Sequence, residues 1–330
     1  MEGPISQLVG RVASTLGVCE CAVEKLLFAV LLVGLVQTLR LLLPVCTSLG
    51  KYFGRSSNLR KQGEWAVITG ATDGIGKAYA REMARRGLKV MLISRTEEKL
   101  QKVRDEIVAD FGVEVDTLAV DCSKLGDDFE VRRVERHLRA NERDIGVLVN
   151  NVGMSYPFTM YFDELSMEEV QRLVTLNVTS ALVMTRLVLP GMKERRRGRI
   201  VNIGSGAARI DNPLLAAYSG VKAAIERFST SLDAECRRFG VRVQVQYPLF
   251  VTTKLAKIRH SSLMVPTPET FAKCAAKHIG HDSSVSPYWA HALQLYIMES
   301  LPSFLMNKLA TGKHLAIRKK GMKKRAAKAQ

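Results

Sequence analysis

Short apolar runs alternate with longer amphipathic stretches through the middle of the chain. The apolar runs are typical of strands that are buried on both faces, and the amphipathic stretches are typical of helices that cover a sheet. This alternation predicts an α/β fold, with a doubly wound parallel sheet in one main domain. The strands are predicted near residues 65–69, 88–93, 115–120, 145–149, 199–204 and 241–246.

A glycine-rich turn follows the first predicted strand. The sequence GATDGIG, residues 70–76, comes directly after Trp65–Thr69 and leads into a segment with helical periodicity. Gly70 permits a tight turn, Gly74 a close backbone approach to a pyrophosphate, and Gly76 close packing of the helix on the strand. The context predicts a Rossmann-type dinucleotide-binding unit, although the GxxxGxG spacing differs from GxGxxG. An ordinary strand-to-helix turn is the alternative.

A second constellation of reactive side chains follows a later strand. Tyr218 and Lys222 are four residues apart, so a helix places the phenol and the ammonium on one face. A nearby cation favours phenolate, and Ser205, at the end of the preceding strand, is placed to hydrogen-bond a substrate carbonyl. Taken singly, the tyrosine and the lysine are also compatible with an exposed pair on a helix.

Together these two motifs resemble the short-chain dehydrogenase/reductase family over roughly residues 63–255. Three positions depart from the family pattern: Val152 replaces an alanine, Gly204 stands where a serine is commoner, and Leu249 replaces a glycine. The matching segments are Thr69–Gly76 (family TGxxxGxG), Asp121 after a predicted strand, Asn150–Gly153 (family NNAG), Asn177, the Ser205, Tyr218 and Lys222 set, and Pro248–Thr253 (family PGxVxT).

The resemblance implies a role for each member of a catalytic tetrad. Tyr218 is the general acid for carbonyl reduction, and Ser205 orients and polarises the carbonyl. Lys222 holds the nicotinamide ribose and lowers the pKa of the tyrosine, and Asn177 anchors a water that links the lysine to solvent. No metal is implied. The implied cofactor contacts are Gly70, Thr72, Asp73, Gly74, Ile75, Gly76, Arg95, Lys99, Asp121, Asn150, Tyr218, Lys222, Val251 and Thr253.

The charge after the second predicted strand indicates which nicotinamide cofactor is used. Arg95 stands nineteen residues after Gly76, where an NAD-binding protein often has an acid for the ribose hydroxyls. An arginine pairs with a 2′-phosphate, which a carboxylate would repel, and Lys99 can reinforce it. NADPH is therefore favoured, and reduction with it. A solvated surface charge is the alternative for Arg95.

Longer stretches resemble one branch of the family, that of membrane-bound 17-beta-hydroxysteroid dehydrogenases and very-long-chain 3-oxoacyl-CoA reductases. The stretches are Gln62–Ala80, Ile93–Leu100 and Ile145–Met154. The implied reaction is reduction of 3-oxoacyl-CoA to 3-hydroxyacyl-CoA in very-long-chain fatty acid elongation. Reduction of a steroid 17-ketone, and a catalytically silent nucleotide-binding membrane scaffold, stay open.

A homodimer and contact with other elongation enzymes are further expectations. A basic cluster, Lys193–Arg199, either attracts CoA phosphates or is a solvated loop.

An apolar segment near the N-terminus, Leu26–Cys46, has about the length that spans a bilayer. Arg40 near its end can snorkel to the headgroups. A soluble amphipathic helix and a cleaved signal are the alternatives. Four basic residues follow the segment and two precede it, so the positive-inside rule predicts that the catalytic domain faces the cytosol. Those residues are Lys51, Arg55, Arg60 and Lys61 after it, and Arg11 and Lys25 before it. The resemblance to the elongation branch implies that the membrane is that of the endoplasmic reticulum.

The C-terminal region divides by composition into an apolar and a basic part. Residues 285–312 suit an interfacial membrane segment or a lid over the substrate pocket. Residues 313–330 carry eight basic residues and no acid, which fits a disordered tail, a clamp on anionic lipid or a retrieval signal. The predicted divisions are 1–25 (N-terminal segment), 26–46 (anchor), 47–62 (linker), 63–284 (dehydrogenase/reductase domain), 285–312 and 313–330.

Overall composition excludes several other classes of function. The chain of 330 residues is 47% apolar and 25% charged, with a net charge of +17. Nucleic-acid binding is not expected, because no aromatic-basic platform or reading motif accompanies the charge. The six cysteines form no CxxC pair and the six histidines show no ligand spacing, so zinc and thioredoxin chemistry are unsupported and a reducing cytosol fits.

Overall fold

The computed structural model describes residues 4–53, 57–256, 258 and 260–329, and the chain divides into two compact units, Met1–Gly54 and Arg55–Gln330. The first unit contains helices α1 (Pro4–Leu16) and α2 (Glu20–Phe53), which pack through a small apolar cluster. Of the cations that predict membrane orientation, Arg55 and the side chain of Lys51 lie outside the described residues.

The second unit is built on a seven-stranded parallel sheet with the strand order β3-β2-β1-β4-β5-β6-β7. This confirms the predicted doubly wound fold, and six strands lie within one residue of their predicted bounds. The seventh strand has only two residues and was not predicted. The strands are β1 (Trp65–Thr69), β2 (Lys89–Ser94), β3 (Val115–Ala119), β4 (Ile145–Asn150), β5 (Gly198–Ile203), β6 (Val241–Gln246) and β7 (Ser284–Val285).

Helices cover both faces of this sheet. Ala66 and Ile68 pack into the core on one face with α3, α4 and α9, whereas Val67 packs into the core on the other with α5 and α7. All three side chains are fully buried, which explains why β1 is a continuous apolar run. The helices of this unit are α3 (Gly74–Arg85), α4 (Glu97–Phe111), α5 (Asp128–Arg139), α6 (Met167–Val174), α7 (Ser180–Glu194), α8 (Ala216–Cys236), α9 (Pro268–His278), α10 (Trp289–Ser300) and α11 (Ser303–Ala329).

Two described helical segments are long and apolar enough to cross a membrane. Glu20–Arg40, in α2, has a mean hydropathy of 1.9 and only 6% of its residues are buried. Met167–Glu194 has a mean hydropathy of 1.5, but 39% of it is buried, and α7 packs against β4 and β5. The second segment is therefore a core element of the catalytic unit, and the N-terminal segment is the candidate membrane span.

The C-terminal residues are helical. Helix α11 runs from Ser303 to Ala329 without a break at the predicted boundary between residues 312 and 313. A disordered tail, one of the alternatives for residues 313–330, is therefore not what the described residues show. Two helices, α10 and α11, occupy the region for which the sequence predicted an interfacial segment or a lid.

The order of the strands places the functional region. Strands β1 and β4 are neighbours in the sheet, and the chain leaves them toward opposite edges. A crevice forms at the carboxyl ends of the strands at such a switch point, and open α/β sheets bind their ligands there.

Candidate active site

A cavity of about 2040 Å³ opens at the carboxyl ends of these strands. A single small-molecule pocket has roughly 300–1,000 Å³, so this volume can hold a dinucleotide and a second molecule. The glycine turn, the ends of β4 and β5, and helices α8, α10 and α11 surround it. All the predicted site residues line it except Gly76 and Asn150.

The glycine turn is built for close approach of the chain to itself and to a ligand. Gly70 has a φ of +65°, a left-handed conformation that side chains disfavour. A Cβ on Gly76 would lie 2.2 Å from the carbonyl oxygen of Gly70, so only glycine lets α3 start this close to the turn. Asp73 caps α3 by accepting a hydrogen bond from the Gly74 N–H at 2.8 Å. The turn therefore leaves a helix N-terminus facing the cavity, as a pyrophosphate requires.

Asn150, one of the predicted cofactor contacts, does not line the cavity. As the last residue of β4 it is buried in the sheet, and its Nδ2 donates to Oδ1 of Asn202 at 2.8 Å and to Oγ1 of Thr185 at 3.1 Å. Side chains alternate along a strand, so the neighbouring Asn151 points the other way. Asn151 lines the cavity, and its Nδ2 donates to the carbonyl oxygens of Thr69 at 3.1 Å and Gly70 at 3.2 Å, which ties the end of β4 to the glycine turn.

The far end of the cavity, beside the carboxyl ends of β2 and β3, is polar and carries charges of both signs. Arg95 is exposed at the end of β2, and Lys99 lies near it on α4. Burial alone would raise the pKa of Asp121, but hydrogen bonds from Ser123 and the charge of Arg95 hold it below its usual value. Asp121 is therefore an anion that accepts hydrogen bonds, and Arg95 is a cation within its electrostatic reach.

Ser205, Tyr218 and Lys222 meet at the middle of the cavity. Ser205 hydrogen-bonds the hydroxyl of Tyr218, which stands in the first turn of α8. Lys222, one turn further on, is buried, donates to the Ile203 carbonyl at 3.0 Å, and holds its Nζ 5.9 Å from the centre of the Tyr218 ring. The helical spacing and the strand end thus bring the three groups together.

Burial shifts the pKa values of both the tyrosine and the lysine. Burial raises the pKa of Tyr218, and the Ser205 hydrogen bond offsets this only in part. Burial also lowers the pKa of Lys222 to about 8. That the Lys222 ammonium lowers the pKa of the phenol stays a prediction, because the upward shift of Tyr218 has burial as its largest cause.

Asn177 lies in a π-helical turn, Thr175–Thr179, between α6 and α7. Its Nδ2 donates to the carbonyls of Leu173 and Met154, at 2.9 and 3.0 Å, while its Oδ1 is buried without a partner among the described residues. A Cβ on Gly153 would lie 2.6 Å from that oxygen and 3.3 Å from Nζ of Lys222, so both atoms border one small space. This arrangement suits a water between asparagine and lysine.

Tyr156 supports the start of α8 and was not predicted from the sequence. It is buried, and its hydroxyl accepts a hydrogen bond from the Ala217 N–H at 2.9 Å, directly before Tyr218. Burial raises the pKa of Tyr156, so it stays a neutral phenol. Its place in the sequence carries no motif that would have revealed this support.

His291 supports the loop after β6 and was also missed. Its Nδ1 accepts from the Leu249 N–H at 3.3 Å, so Nε2 carries the proton and donates to the Phe250 carbonyl at 3.1 Å. The imidazole is fully buried, and burial lowers its pKa to about 4. The loop that lacks the family glycine at Leu249 is therefore held by a neutral histidine on α10.

The sequence profile of the short chain dehydrogenase family matches residues 64–262. The chain belongs to this family. It is 47% identical, over 79% of its length and 83% of the relative's, to a very-long-chain 3-oxoacyl-CoA reductase of Macaca fascicularis. It is also 38% identical, over 76% of both chains, to an inactive hydroxysteroid dehydrogenase-like protein 1 of Homo sapiens.

A solved short-chain dehydrogenase from Sphingobium yanoikuyae, in complex with NADPH, has a similar structure. The TM-score is 0.61 at 27% identity, over 72% of this chain and 96% of that one. These similarities confirm the predicted family, branch and fold. This protein is an oxidoreductase of the class that acts on CH–OH groups with a nicotinamide dinucleotide, and its glycine turn and polar cavity end fit such a cofactor.

Proposed function

We propose that this protein reduces 3-oxoacyl-CoA to 3-hydroxyacyl-CoA with NADPH in very-long-chain fatty acid elongation. The observation that carries the proposal is the meeting of Ser205, Tyr218 and Lys222 in one cavity with the glycine turn. The name of the macaque relative supports the substrate class, since that protein is a very-long-chain 3-oxoacyl-CoA reductase.

The side chains divide the reaction between them. A nicotinamide dinucleotide, when bound, supplies the hydride. Ser205 Oγ and Tyr218 Oη donate hydrogen bonds to the substrate carbonyl oxygen and stabilise the negative charge that develops there. Because burial raises its pKa, Tyr218 is protonated at neutral pH and holds the proton that the oxygen needs. Lys222, with a pKa of about 8, returns a proton to the phenolate through the space beside Asn177.

NADPH is favoured over NADH by the charge at the far end of the cavity. Arg95 and Lys99 line that end, and both are exposed and free to pair with a 2′-phosphate. The carboxylates nearby are Asp121, which is engaged by Ser123, and Asp73, which forms a salt bridge with Lys254. A 2′-phosphate therefore meets net positive charge.

The protein is proposed to be anchored in the endoplasmic reticulum membrane with its catalytic unit in the cytosol. The support is the span Glu20–Arg40, in which large apolar side chains such as Phe28 and Leu31 are about 70% exposed. Such a helix is stable in lipid, where exposed apolar side chains carry no penalty. Anchoring brings the cavity to substrates that dissolve in the bilayer.

One experiment tests the proposal against its two alternatives. NADPH oxidation is measured in membranes that contain the protein, with a long-chain 3-oxoacyl-CoA and with estrone, for wild type, Tyr218→Phe and the control Tyr161→Phe. The control tyrosine does not line the cavity. We expect oxidation with the acyl-CoA in wild type and control, and loss in Tyr218→Phe.

Each alternative predicts a different result. Much faster turnover of estrone than of the acyl-CoA would favour a steroid 17-ketone reductase. Turnover of neither substrate, with NADPH binding demonstrated, would favour a silent nucleotide-binding scaffold, which the name of the inactive human relative brings into consideration.

A further inference from the structure

Helix α11 presents one continuous face to the cavity, and the chemistry of that face changes along its length. The residues that line the cavity recur every three or four positions, as one face of a helix does. They are Met306, Leu309, Ala310, Lys313, His314, Ile317, Lys320, Gly321, Lys324 and Arg325. The first three are apolar, and three of the last four are basic. At 1.5 Å per residue, Ala310 and Lys324 are about 21 Å apart along the helix.

The helix is held firmly where it crosses the cavity. Oγ1 of Thr159 donates to the His314 carbonyl at 2.6 Å, and Nδ1 of His314 lies 2.6 Å from the Pro213 carbonyl oxygen. One turn further on, Arg318 forms a salt bridge with Glu164. These contacts fix the direction in which the following basic side chains point.

The helix also approaches the wall of the substrate side closely. A Cβ on Gly321 would lie 2.3 Å from Cγ of Phe158, so the absence of a side chain at residue 321 lets the helix pack here. Phe158 belongs to the same apolar cluster as Leu215 and Tyr218. The basic end of α11 therefore adjoins the wall that carries the general acid.

Lys320 and Lys324 are available to a ligand. Both are exposed, and among the described residues neither forms a salt bridge. Glu164 is paired with Arg318, and this hydrogen bond and the charge of Arg325 hold its pKa below the usual value. Four acids line the cavity, Asp73 and Asp121 beside the glycine turn and Glu168 and Glu169 on α6, and Glu169 accepts the Ser166 N–H. The end of the helix keeps an excess of positive charge.

We infer that α11 is the recognition element for the two ends of the substrate. Its basic residues Lys320, Lys324 and Arg325 bind the phosphates of the CoA moiety, and its apolar residues Met306, Leu309 and Ala310 contact the acyl chain. This inference rests on the proposed function, because it assigns a subsite for the same substrate. An acyl-CoA carries clustered phosphates at one end and a hydrocarbon at the other, which is the polarity that α11 displays. Ammonium and guanidinium groups bind phosphate through charge-assisted hydrogen bonds.

The test compares two pairs of lysines on the same helix. Lys320→Gln/Lys324→Gln removes two charges from the cavity face, and Lys319→Gln/Lys323→Gln removes two exposed charges that do not line the cavity. The two double variants have the same charge and equal helix propensity. Each full-length protein is assayed in phosphatidylcholine vesicles with a long-chain 3-oxoacyl-CoA and with the N-acetylcysteamine thioester of the same acid, which has no phosphate.

We expect the ratio of the KM for the CoA ester to the KM for the phosphate-free ester to rise about tenfold in the cavity-face variant, equivalent to about 1.4 kcal/mol. The ratio should stay at the wild-type value in the control variant. An equal rise in both variants would overturn the inference, because it would indicate general attraction of charge. An equal rise in KM for both esters would also overturn it, because it would indicate altered packing.

Two more arms separate the remaining possibilities. Lipid headgroups also carry phosphate, so the assay is repeated in vesicles that contain phosphatidylserine. A change in the ratio that occurs only with phosphatidylserine would assign the lysines to lipid and overturn the inference. If wild type reduces neither ester although it binds NADPH, the proposed function itself fails. Wild-type turnover with unchanged ratios in both variants refutes the subsite alone.

Discussion

Desolvation governs the titratable residues at the centre of the cavity. Tyr218 has a raised pKa and Lys222 has a pKa of about 8, although a charged lysine beside a tyrosine would have the opposite effect on the phenol. A protonated phenol is the form that a ketoreductase needs, since the tyrosine donates its proton to the product oxygen. The environment thus keeps the proton on Tyr218 at neutral pH.

Replacing Tyr218 by phenylalanine removes this proton and leaves the ring. We expect kcat to fall by about 10²–10⁴-fold, the usual contribution of a general acid. The melting temperature should change little, because the hydroxyl's described partner is Ser205, at the wall of an open cavity. Steady-state kinetics and thermal unfolding check both expectations. A kcat within threefold of wild type would exclude Tyr218 as the acid.

Arg95→Asp places a carboxylate where a 2′-phosphate is proposed to bind. We expect the Kd for NADPH to rise at least about tenfold, which is 1.4 kcal/mol, with a much smaller change for NADH. Arg104→Asp is the matched control, because Arg104 is exposed on α4 and does not line the cavity. Fluorescence titration with both cofactors measures the effect. Equal losses for NADPH and NADH would contradict the assignment.

At the scale of elements, one helix and one irregular segment hold parts of the cavity from outside the glycine turn. Helix α10 supplies His291, which bonds the loop at Leu249 and Phe250, and the segment before α6 supplies Tyr156, which bonds the start of α8. A buried neutral histidine is a strong support, because both ring nitrogens are engaged. The loop near the nicotinamide end thus depends on α10.

Acid should weaken this support. The unfolded chain protonates His291 below about pH 6.5, whereas the folded protein does so only below about pH 4, so stability falls as the pH drops between these values. At 1.36 kcal/mol per pH unit the loss reaches about 3 kcal/mol. His291→Gln keeps a donor and an acceptor without the titration, and should show a flatter fall in melting temperature from pH 6.5 to 4.

His260→Gln serves as the control for this pH dependence, because His260 is exposed. Its melting temperature should follow the wild-type curve. If the melting temperature of His291→Gln falls with pH as steeply as that of wild type, other groups, such as the paired carboxylates, dominate the acid sensitivity.

Particular elements show what the sequence could and could not predict. Strands such as β1 were predictable because burial on both faces leaves only apolar residues. The catalytic set was predictable because helical spacing places Tyr218 and Lys222 together. The direction of the Asn150 side chain, away from the cavity, was not predictable, because it depends on which residue ends β4. The raised pKa of Tyr218 was not predictable either, because the residues that bury its hydroxyl are distant in the sequence.

Helix α11 was the largest element that the sequence described wrongly in part. Its lysines and arginines suggest a solvated tail, because the few apolar residues between them give only a weak amphipathic pattern. The contacts that hold it, Thr159 to His314 and Arg318 to Glu164, join positions about 150 residues apart. Such contacts cannot be inferred from the amino-acid composition of the segment itself.

At the scale of the whole molecule, the chain consists of two units with separate cores. The sheet, the cavity and every described catalytic residue belong to Arg55–Gln330, and the candidate membrane span belongs to Met1–Gly54. The candidate active site and the candidate membrane span therefore belong to different units.

Removing residues 1–53 should separate catalysis from membrane attachment. We expect the truncated protein, in detergent, to retain its melting transition and at least about half of its kcat, since the single core of a domain is sufficient for folding. It should leave the membrane pellet in a high-salt wash, in which the intact protein stays. Retention of the truncated chain in the pellet would instead assign attachment to α10 or α11, whose exposed apolar residues include Trp289 and Phe304.

The π-helical turn at Thr175–Thr179 has a consequence for how this enzyme can lose its activity. Such a turn contains one residue more than an ordinary α-helical turn, and the helices on either side keep their own packing faces. Deleting a single residue, Val178, would convert Met167–Glu194 into one regular helix and leave the core contacts of α6 and α7 in register. The deletion would remove the Val178 side chain, which packs against the cluster of Ala181 and Ile225, and the offset that places Asn177 beside Lys222 would disappear. A one-codon deletion can therefore yield a folded, dinucleotide-binding and inactive protein.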